Sequence, residues 1–147
     1  MSKYILCFNN YLLYFSGKYS IIKTDSETEV LQVYTNADLN EMLNLFAEDM
    51  KEIFREKLRE IILFGSYARG DYDAESDVDI AVIVSIPRAD ESVYNKQIIA
   101  AMENIYDKFG YRTVLSPIVI SDDFFDKWKN DLPFYSNISC EGVKIVA

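Results

Sequence analysis

The sequence predicts an α/β (α+β) domain in which a mixed β-sheet is flanked by helices, preceded by an N-terminal β-hairpin extension. After about residue 36, short apolar strand-like segments alternate with segments of helical periodicity, which is typical of layered folds. Half of the 147 residues are apolar and 14% are aromatic, so the chain can bury the core of one domain. We expect residues 1–34 to form the extension and residues 35–147 to form the main domain.

The first 34 residues resemble β-structure rather than helix. "KYILCF" and "YLLYF" flank two asparagines, which tolerate the positive φ angles of a tight turn, so residues 3–16 predict a hairpin. "YSIIKT" and "EVLQVYT" are candidates for a second strand pair. Because isolated hairpins are marginally stable, we expect this apolar segment to cover other surface, with a homo-oligomer contact as one option.

The first half of the main domain begins with a long amphipathic helix. "TNADLNEMLNLFAEDMKEIFREKL" carries apolar residues at helical spacing, with Thr35 or Asn36 as the N-cap. "EIILFG" predicts a buried strand, "SYAR" a helix of one or two turns, and "DVDIAVIVS" a second strand.

The second half of the main domain continues the alternation. Residues Ser92 to Phe109 predict a helix closed by Gly110, and "YRTVLSPIVIS" predicts a third strand. Pro117 within that strand indicates an edge position or a bulge, because proline cannot donate to a central ladder. "DDFFDKWKN" and "PFYSNISCEG" predict two short helices, and "VKIVA" predicts a final strand.

Composition excludes several functional classes. The net charge of −9 and pI near 4.5 argue against non-specific binding to nucleic acid or anionic membrane. The chain has no histidine, which excludes histidine-based triads and histidine metal sites. Its two cysteines, Cys7 and Cys140, form no paired motif and predict free thiols. No apolar run has the length of a membrane span and no signal peptide is evident, so we expect a cytoplasmic protein.

The segment "ILFGSYARGDYDAESDVDIAVIV" concentrates five acidic residues between two apolar strands. A calcium-binding EF-hand loop does not fit, because Ser76 and Val82 stand where that pattern needs glycine and glutamate. A P-loop does not fit either, because Asp71 stands where that pattern needs lysine. The acidic residues therefore need another explanation, and a bound cation is the simplest source of compensating charge.

Two pieces of this segment together predict a nucleoside triphosphate site. Gly65 and Ser66 end one strand and open a helix, which presents backbone N–H groups and a hydroxyl to an anion. Asp77 and Asp79 lie two residues apart at the start of the next strand, so they point to the same side of the sheet. Two adjacent carboxylates suit Mg²⁺, which bridges phosphate oxygens of a substrate.

This segment resembles the signature of the minimal nucleotidyltransferases of the polymerase-beta superfamily. The resemblance consists of Gly65-Ser66 followed, after ten residues, by Asp77-x-Asp79. The resemblance extends from about residue 39 to residue 146 and does not cover the first 34 residues. It implies that the two aspartates are catalytic and bind Mg²⁺. It also implies that Gly65 and Ser66 hold the β- and γ-phosphates of ATP or another NTP, with Arg69 near the triphosphate.

The resemblance further implies the type of acceptor. Some members of the family are antitoxins that adenylylate a HEPN-type ribonuclease toxin on a tyrosine, and others modify small molecules with the help of an extra helical domain. Active members usually carry a third carboxylate on a later strand, where this sequence has Ser116 and Pro117. Asp122 and Asp123 follow that strand, and we interpret them as helix N-terminal acids.

The sequence therefore leaves three functions possible. The first is an Mg²⁺-dependent nucleotidyltransferase that transfers AMP from ATP to a toxin partner. The second is a catalytically degenerate module that binds nucleotide or neutralises a partner by contact. The third is a nucleotidyltransferase that acts on a small molecule.

Overall fold

The computed structural model describes the backbone of residues 4–8, 11–16, 19–20, 37–111 and 113–146, and the side chains of residues 38–111 and 113–145. The strands are β1 (Tyr4–Phe8), β2 (Tyr11–Ser16), β3 (Tyr19–Ser20), β4 (Leu58–Phe64), β5 (Val78–Val84), β6 (Leu115–Ser121) and β7 (Val143–Val146). The α-helices are α1 (Ala37–Phe54), α2 (Gly65–Arg69), α3 (Asn95–Phe109), α4 (Asp122–Trp128) and α5 (Pro133–Glu141).

The N-terminal strands form a small sheet of their own. β1 and β2 pair antiparallel, which confirms the predicted hairpin, and β3 pairs with β2. Of the predicted second strand pair, only Tyr19 and Ser20 at the start of "YSIIKT" are described, and they form β3. The segment "EVLQVYT" and the predicted N-caps Thr35 and Asn36 lie outside the described residues. The boundary at residue 34 and the oligomer contact stay predictions.

The main sheet has four strands in the order β6-β5-β4-β7. β5 and β6 are parallel, and α3 lies between them in the chain as the crossover connection that a parallel pair requires. The pairs β4–β5 and β4–β7 are antiparallel, so the predicted mixed sheet is confirmed. Pro117 lies in the edge strand β6, as its missing N–H predicts.

Helices cover both faces of this sheet, and strand alternation decides which residues they meet. One face packs against α1 and α3 through Ile61, Leu63, Val78, Ile80, Val82 and Val84. The other packs against α4 and α5 through Ile62, Ala81, Ile83 and Ile120, which meet Phe125 and Ile138. The central strand β5 is buried along its length except at Asp79, which is half-buried. Burying a carboxylate in such a strand costs folding free energy, so a functional role is the simplest reason for its position.

The helix predicted from Ser92 begins at Asn95 instead. Residues Arg88–Tyr94 form a 3-10 helix in which no residue is fully buried, so this segment has less of the apolar packing that stabilises an α-helix. The Glu91 carboxylate also accepts a 2.8 Å hydrogen bond from the backbone N–H of Ser121, which fixes this turn beside the sheet edge. Among the described residues, no helix is both long and apolar enough to cross a membrane.

Candidate nucleotide and metal site

The turn from β4 into α2 has the backbone geometry that an anion-binding loop needs. Gly65 has a φ of +72°, a left-handed conformation that favours glycine, and it starts the five-residue helix α2. Gly70, with a φ of +76°, ends the helix, and its N–H donates to the carbonyl of Ser66 over 2.8 Å. Gly65 and Ser66 therefore lie at the strand-to-helix junction where the sequence predicted them, and Ser66 is half-buried.

The predicted phosphate loop and the predicted metal ligand are in contact. Phe64 and Asp79 are opposite each other in the antiparallel β4–β5 pair, which places Asp79 beside the start of α2. A Cβ atom at position 65 would overlap the Asp79 carboxylate. Glycine at this position thus permits both the positive φ and the close approach of that carboxylate to the backbone.

Asp77 and Asp79 form an acidic pair at the start of β5. Asp77 is exposed and Asp79 is half-buried. Burial raises the pKa of Asp79, the nearby charge of Asp77 raises it further, and Arg69 opposes the increase. The structure therefore brings the two aspartates close enough to repel each other, and a cation between them would relieve that repulsion.

The donor set of this pair fits Mg²⁺. Carboxylate oxygens are hard ligands, and Mg²⁺ in nucleotide enzymes is commonly held by one or two carboxylates together with substrate phosphates and water. Within residues 38–111 and 113–145, no group of three or more His, Cys, Asp and Glu side chains is arranged to hold a metal ion. Asp77 and Asp79 would thus hold a metal ion whose coordination is completed by the phosphates of a substrate.

Arg69 lies at the end of α2 between several carboxylates. Its Nε donates to Asp71 over 3.3 Å, and its Nη1 lies 3.7 Å from the Glu141 carboxylate at the end of α5. The contact with Asp71, two residues further along the chain, is an exposed ion pair. The role of Arg69 beside a triphosphate stays a prediction, supported by its electrostatic effect on Asp79.

Asp73 stabilises the loop and is not part of the acidic pair. Its carboxylate accepts hydrogen bonds from the backbone N–H of Glu75 and the hydroxyl of Ser76, over 2.9 and 3.0 Å. The Glu75 N–H, followed by Ser76, holds the pKa of Asp73 below its usual value. The stacked rings of Tyr67 and Tyr72, 4.2 Å apart, brace the same segment. The aspartates of this segment therefore have three roles: Asp73 forms the loop, Asp71 pairs with Arg69, and Asp77 and Asp79 form the acidic pair.

The structure places Ser116 where a third carboxylate would act. Ser116 is the register partner of Asp79 in the parallel β5–β6 pair and is exposed. Asp122 lies beyond the other end of β6, where its carboxylate accepts a hydrogen bond from Ser85 over 2.5 Å. Since about 17 Å of strand separates Ser116 from Ser121, Asp122 is too far away to join the pair. Asp122 and Asp123 occupy the first turn of α4, as predicted.

An aromatic contact beside the site was not predicted from the sequence. The rings of Phe64 and Phe134 meet edge to face, with centroids 5.7 Å apart. Phe134 lies in the first turn of α5 and stays 44% exposed. The sequence predicted the helix that contains Phe134, but the face that this helix turns toward β4 depends on tertiary packing.

Comparisons with known proteins identify the family of this chain. A family model described as "Nucleotidyltransferase domain" matches residues 43–129, which run from α1 into α4 and include the acidic pair and the phosphate loop. Two relatives from Methanocaldococcus jannaschii are both named "Putative protein adenylyltransferase". The first is 39% identical over 98 residues, covering 63% of this chain and 94% of the relative. The second is 35% identical over 97 residues, covering 66% and 87%.

A solved structure also shows a limited likeness. The crystal structure of a "putative nucleotidyltransferase" from Sulfolobus solfataricus matches 73% of this chain and 81% of that chain, at 23% identity and a TM-score of 0.42.

Proposed function

This chain belongs to the nucleotidyltransferase domain family, and we propose that it is an Mg²⁺-dependent protein adenylyltransferase. It transfers AMP from ATP to a tyrosine hydroxyl of a HEPN-type toxin partner and releases pyrophosphate. The names of the two relatives support a protein acceptor. The observation that carries the proposal is the contact between Gly65 and the Asp79 carboxylate, because it joins a phosphate-binding loop to a metal-binding pair.

The junction of β4 and α2 binds the distal phosphates in this proposal. The first backbone N–H groups of a helix have no partner within the helix and point toward an anion. The Ser66 hydroxyl adds one charge-assisted hydrogen bond, and Gly65 lets the phosphate approach the backbone. Arg69, at the end of the same helix, adds positive charge to an otherwise acidic surface.

Asp77 and Asp79 hold Mg²⁺ in this proposal. When bound there, the ion neutralises phosphate charge and stabilises the transition state of displacement at the α-phosphorus. The chain's own contribution is to fix the two carboxylates: Asp79 by the β4–β5 register, and Asp77 by the loop that Asp73 closes. The acceptor oxygen forms a bond to the α-phosphorus and loses its proton to solvent, and the bond to the pyrophosphate leaving group breaks.

The acceptor approaches from the β6 side. Ser116 and Ile118 lie on the same sheet face as Asp79 by their register with Asp79 and Ala81, and both are exposed. On the opposite side of Asp79, β4 is covered by α5. The β6 side is therefore the open approach to the acidic pair for the hydroxyl of a folded partner.

A second candidate function has one observation in its favour. Ser116, the neighbour of Asp79 on β6, cannot act as the carboxylate that helps to deprotonate an acceptor hydroxyl. No other described carboxylate replaces it, since Asp122 is bound to Ser85 at the far end of the strand. This observation favours a module that binds Mg-ATP and neutralises its partner by contact, without transfer.

An assay with labelled ATP separates the two functions. The protein is incubated with Mg²⁺, a HEPN-type partner and ATP labelled at either the α- or the γ-phosphate. We expect label on the partner from α-labelled ATP only, with a tyrosine that gains the mass of one AMP. The double variant Asp77→Asn/Asp79→Asn is the control and should transfer none. Binding of Mg-ATP and of the partner without any label transfer would instead establish the non-catalytic module.

A further inference from the structure

We propose that Phe134 is the platform on which the nucleobase of the bound nucleotide stacks. The inference rests on the proposed function, because it takes the triphosphate to lie at Gly65 and Ser66. It assigns a ligand-contacting residue to α5, an element that provides neither of the two sequence motifs. It also predicts how the site obtains affinity for the nucleoside rather than for phosphate alone.

The position of Phe134 follows from the β4–β5 register. Phe64 immediately precedes the phosphate loop and lies opposite Asp79, so its side chain is on the same sheet face as the Asp79 carboxylate. The Phe64 ring meets the Phe134 ring edge to face at an angle of 87°. Phe134 therefore contacts Phe64, the residue that borders both the phosphate loop and the acidic pair.

Phe134 is also held in place while part of its ring stays open. Its ring is in edge-to-face contact with Tyr135, with centroids 5.2 Å apart, in addition to the contact with Phe64. Pro133 at the first position of α5 fixes the backbone conformation just before it. Despite these contacts the residue is 44% exposed. A ring that is fixed before the ligand arrives loses little conformational freedom on stacking.

The nucleobase is favoured over the acceptor as the occupant. Because Phe64 lies between the phosphate loop and Phe134, a nucleotide whose triphosphate lies at Gly65 and Ser66 can place its base on the Phe134 ring. The acceptor has the other side of Asp79 available, where Ser116 and Ile118 are exposed. Stacking on a phenyl ring uses the π-face that every base has. Selectivity among bases should therefore be modest, and purine nucleotides should bind more tightly than pyrimidine nucleotides.

Calorimetry with two ligands tests the proposal. Mg-ATP and Mg-tripolyphosphate are titrated into the full-length wild type, Phe134→Ala, Phe134→Leu and Phe134→Trp. Stacking on an aromatic ring corresponds to a loss of roughly 5- to 160-fold in ATP affinity for the alanine variant. The leucine variant, which keeps apolar volume without a π-face, should lose most of the same affinity. The tryptophan variant should bind ATP at least as well as the wild type, and tripolyphosphate affinity should not change.

A matched control is available at the same helix start. Leu132 is 38% exposed and precedes Pro133, so Leu132→Ala removes exposed apolar surface without removing a ring. This variant should bind both ligands like the wild type. A general disturbance of α5 would instead weaken binding in the Leu132 and Phe134 variants alike, and that result would overturn the proposal.

The remaining outcomes each point to a different error. Unchanged ATP affinity in Phe134→Ala and Phe134→Leu would overturn the stacking role. Unchanged ATP affinity combined with a higher KM for the protein acceptor would assign Phe134 to the acceptor and would also overturn it. Equal loss for ATP and tripolyphosphate would show that the ring acts through the phosphate loop. Wild-type protein that binds neither ligand would overturn the proposed function itself, whatever the behaviour of the variants.

Discussion

Replacing Gly65 with alanine should damage the site more than the fold. The new Cβ would overlap the Asp79 carboxylate, and the residue would have to keep a φ of +72°. The carboxylate cannot retain its position unless the backbone at 65 moves. Either movement separates the metal-binding pair from the phosphate loop.

Two separate quantities can be estimated for this variant. A non-glycine residue in the left-handed region costs about 1–3 kcal/mol of folding free energy. Displacing the Asp79 carboxylate should cost at least the 10- to 100-fold in metal affinity that is typical of changes to groups supporting a metal ligand. We therefore expect a moderate loss of stability together with a large loss of Mg-ATP affinity.

Gly110→Ala is the matched control. Gly110 has a φ of +78°, and a Cβ there would meet nothing within 4 Å. It follows α3, which packs on the sheet face opposite Asp79. Urea unfolding should show losses of the same order in both variants. Calorimetry should show loss of Mg-ATP binding in Gly65→Ala only. Wild-type affinity in Gly65→Ala, or equal losses of affinity in the two variants, would refute the reasoning.

Three further predictions concern single side chains. Ser66→Ala should weaken ATP binding by about 1.5–3 kcal/mol and AMP binding by less, because Ser66 contacts the distal phosphates in the proposed site; equal losses in calorimetry would count against that role. Ser116→Asp should increase the Mg²⁺-dependent rise in melting temperature, because it adds a carboxylate beside Asp79; an unchanged rise would contradict the geometry. Hydrogen bonding from Arg59 and then Lys129 lowers the pKa of Asp126 to about 2. The stability that Asp126 contributes is therefore present above about pH 4 and disappears as the pH falls towards 2. The pair with Arg59 is about 40% exposed, so the effect should stay below about 1 kcal/mol. Asp126→Asn should remove this part of the acid dependence in urea unfolding at several pH values; an unchanged dependence would exclude the pair as its source.

The local elements were predictable because their signals are local. Apolar runs with turn residues between them predict β4, α2 and β5, and the spacing of Gly65, Asp77 and Asp79 predicts a metal-nucleotide site. Pro117 restricts its strand to an edge position or a bulge, because it lacks an N–H. These features depend on backbone chemistry within a few residues, which a single sequence contains.

The contacts between elements were not predictable in the same way. The overlap of position 65 with the Asp79 carboxylate depends on the β4–β5 register, and the approach of Glu141 to Arg69 depends on how α5 crosses the sheet. The 3-10 helix before α3 depends on a hydrogen bond from Ser121 to Glu91, thirty residues earlier in the chain. Each of these is set by tertiary packing, which overrides local propensity.

The most direct test of the central claim is Mg-ATP binding by the wild type and by Asp77→Asn/Asp79→Asn. Without metal the variant should fold at least as stably as the wild type, because the substitutions remove a half-buried charge and its repulsion by Asp77, the two effects that raise the pKa of Asp79. Circular dichroism checks the fold, and calorimetry measures the affinity with and without Mg²⁺. We predict Mg²⁺-dependent ATP binding in the wild type and none in the variant. An intact variant that binds Mg-ATP with wild-type affinity would contradict the assignment of the acidic pair.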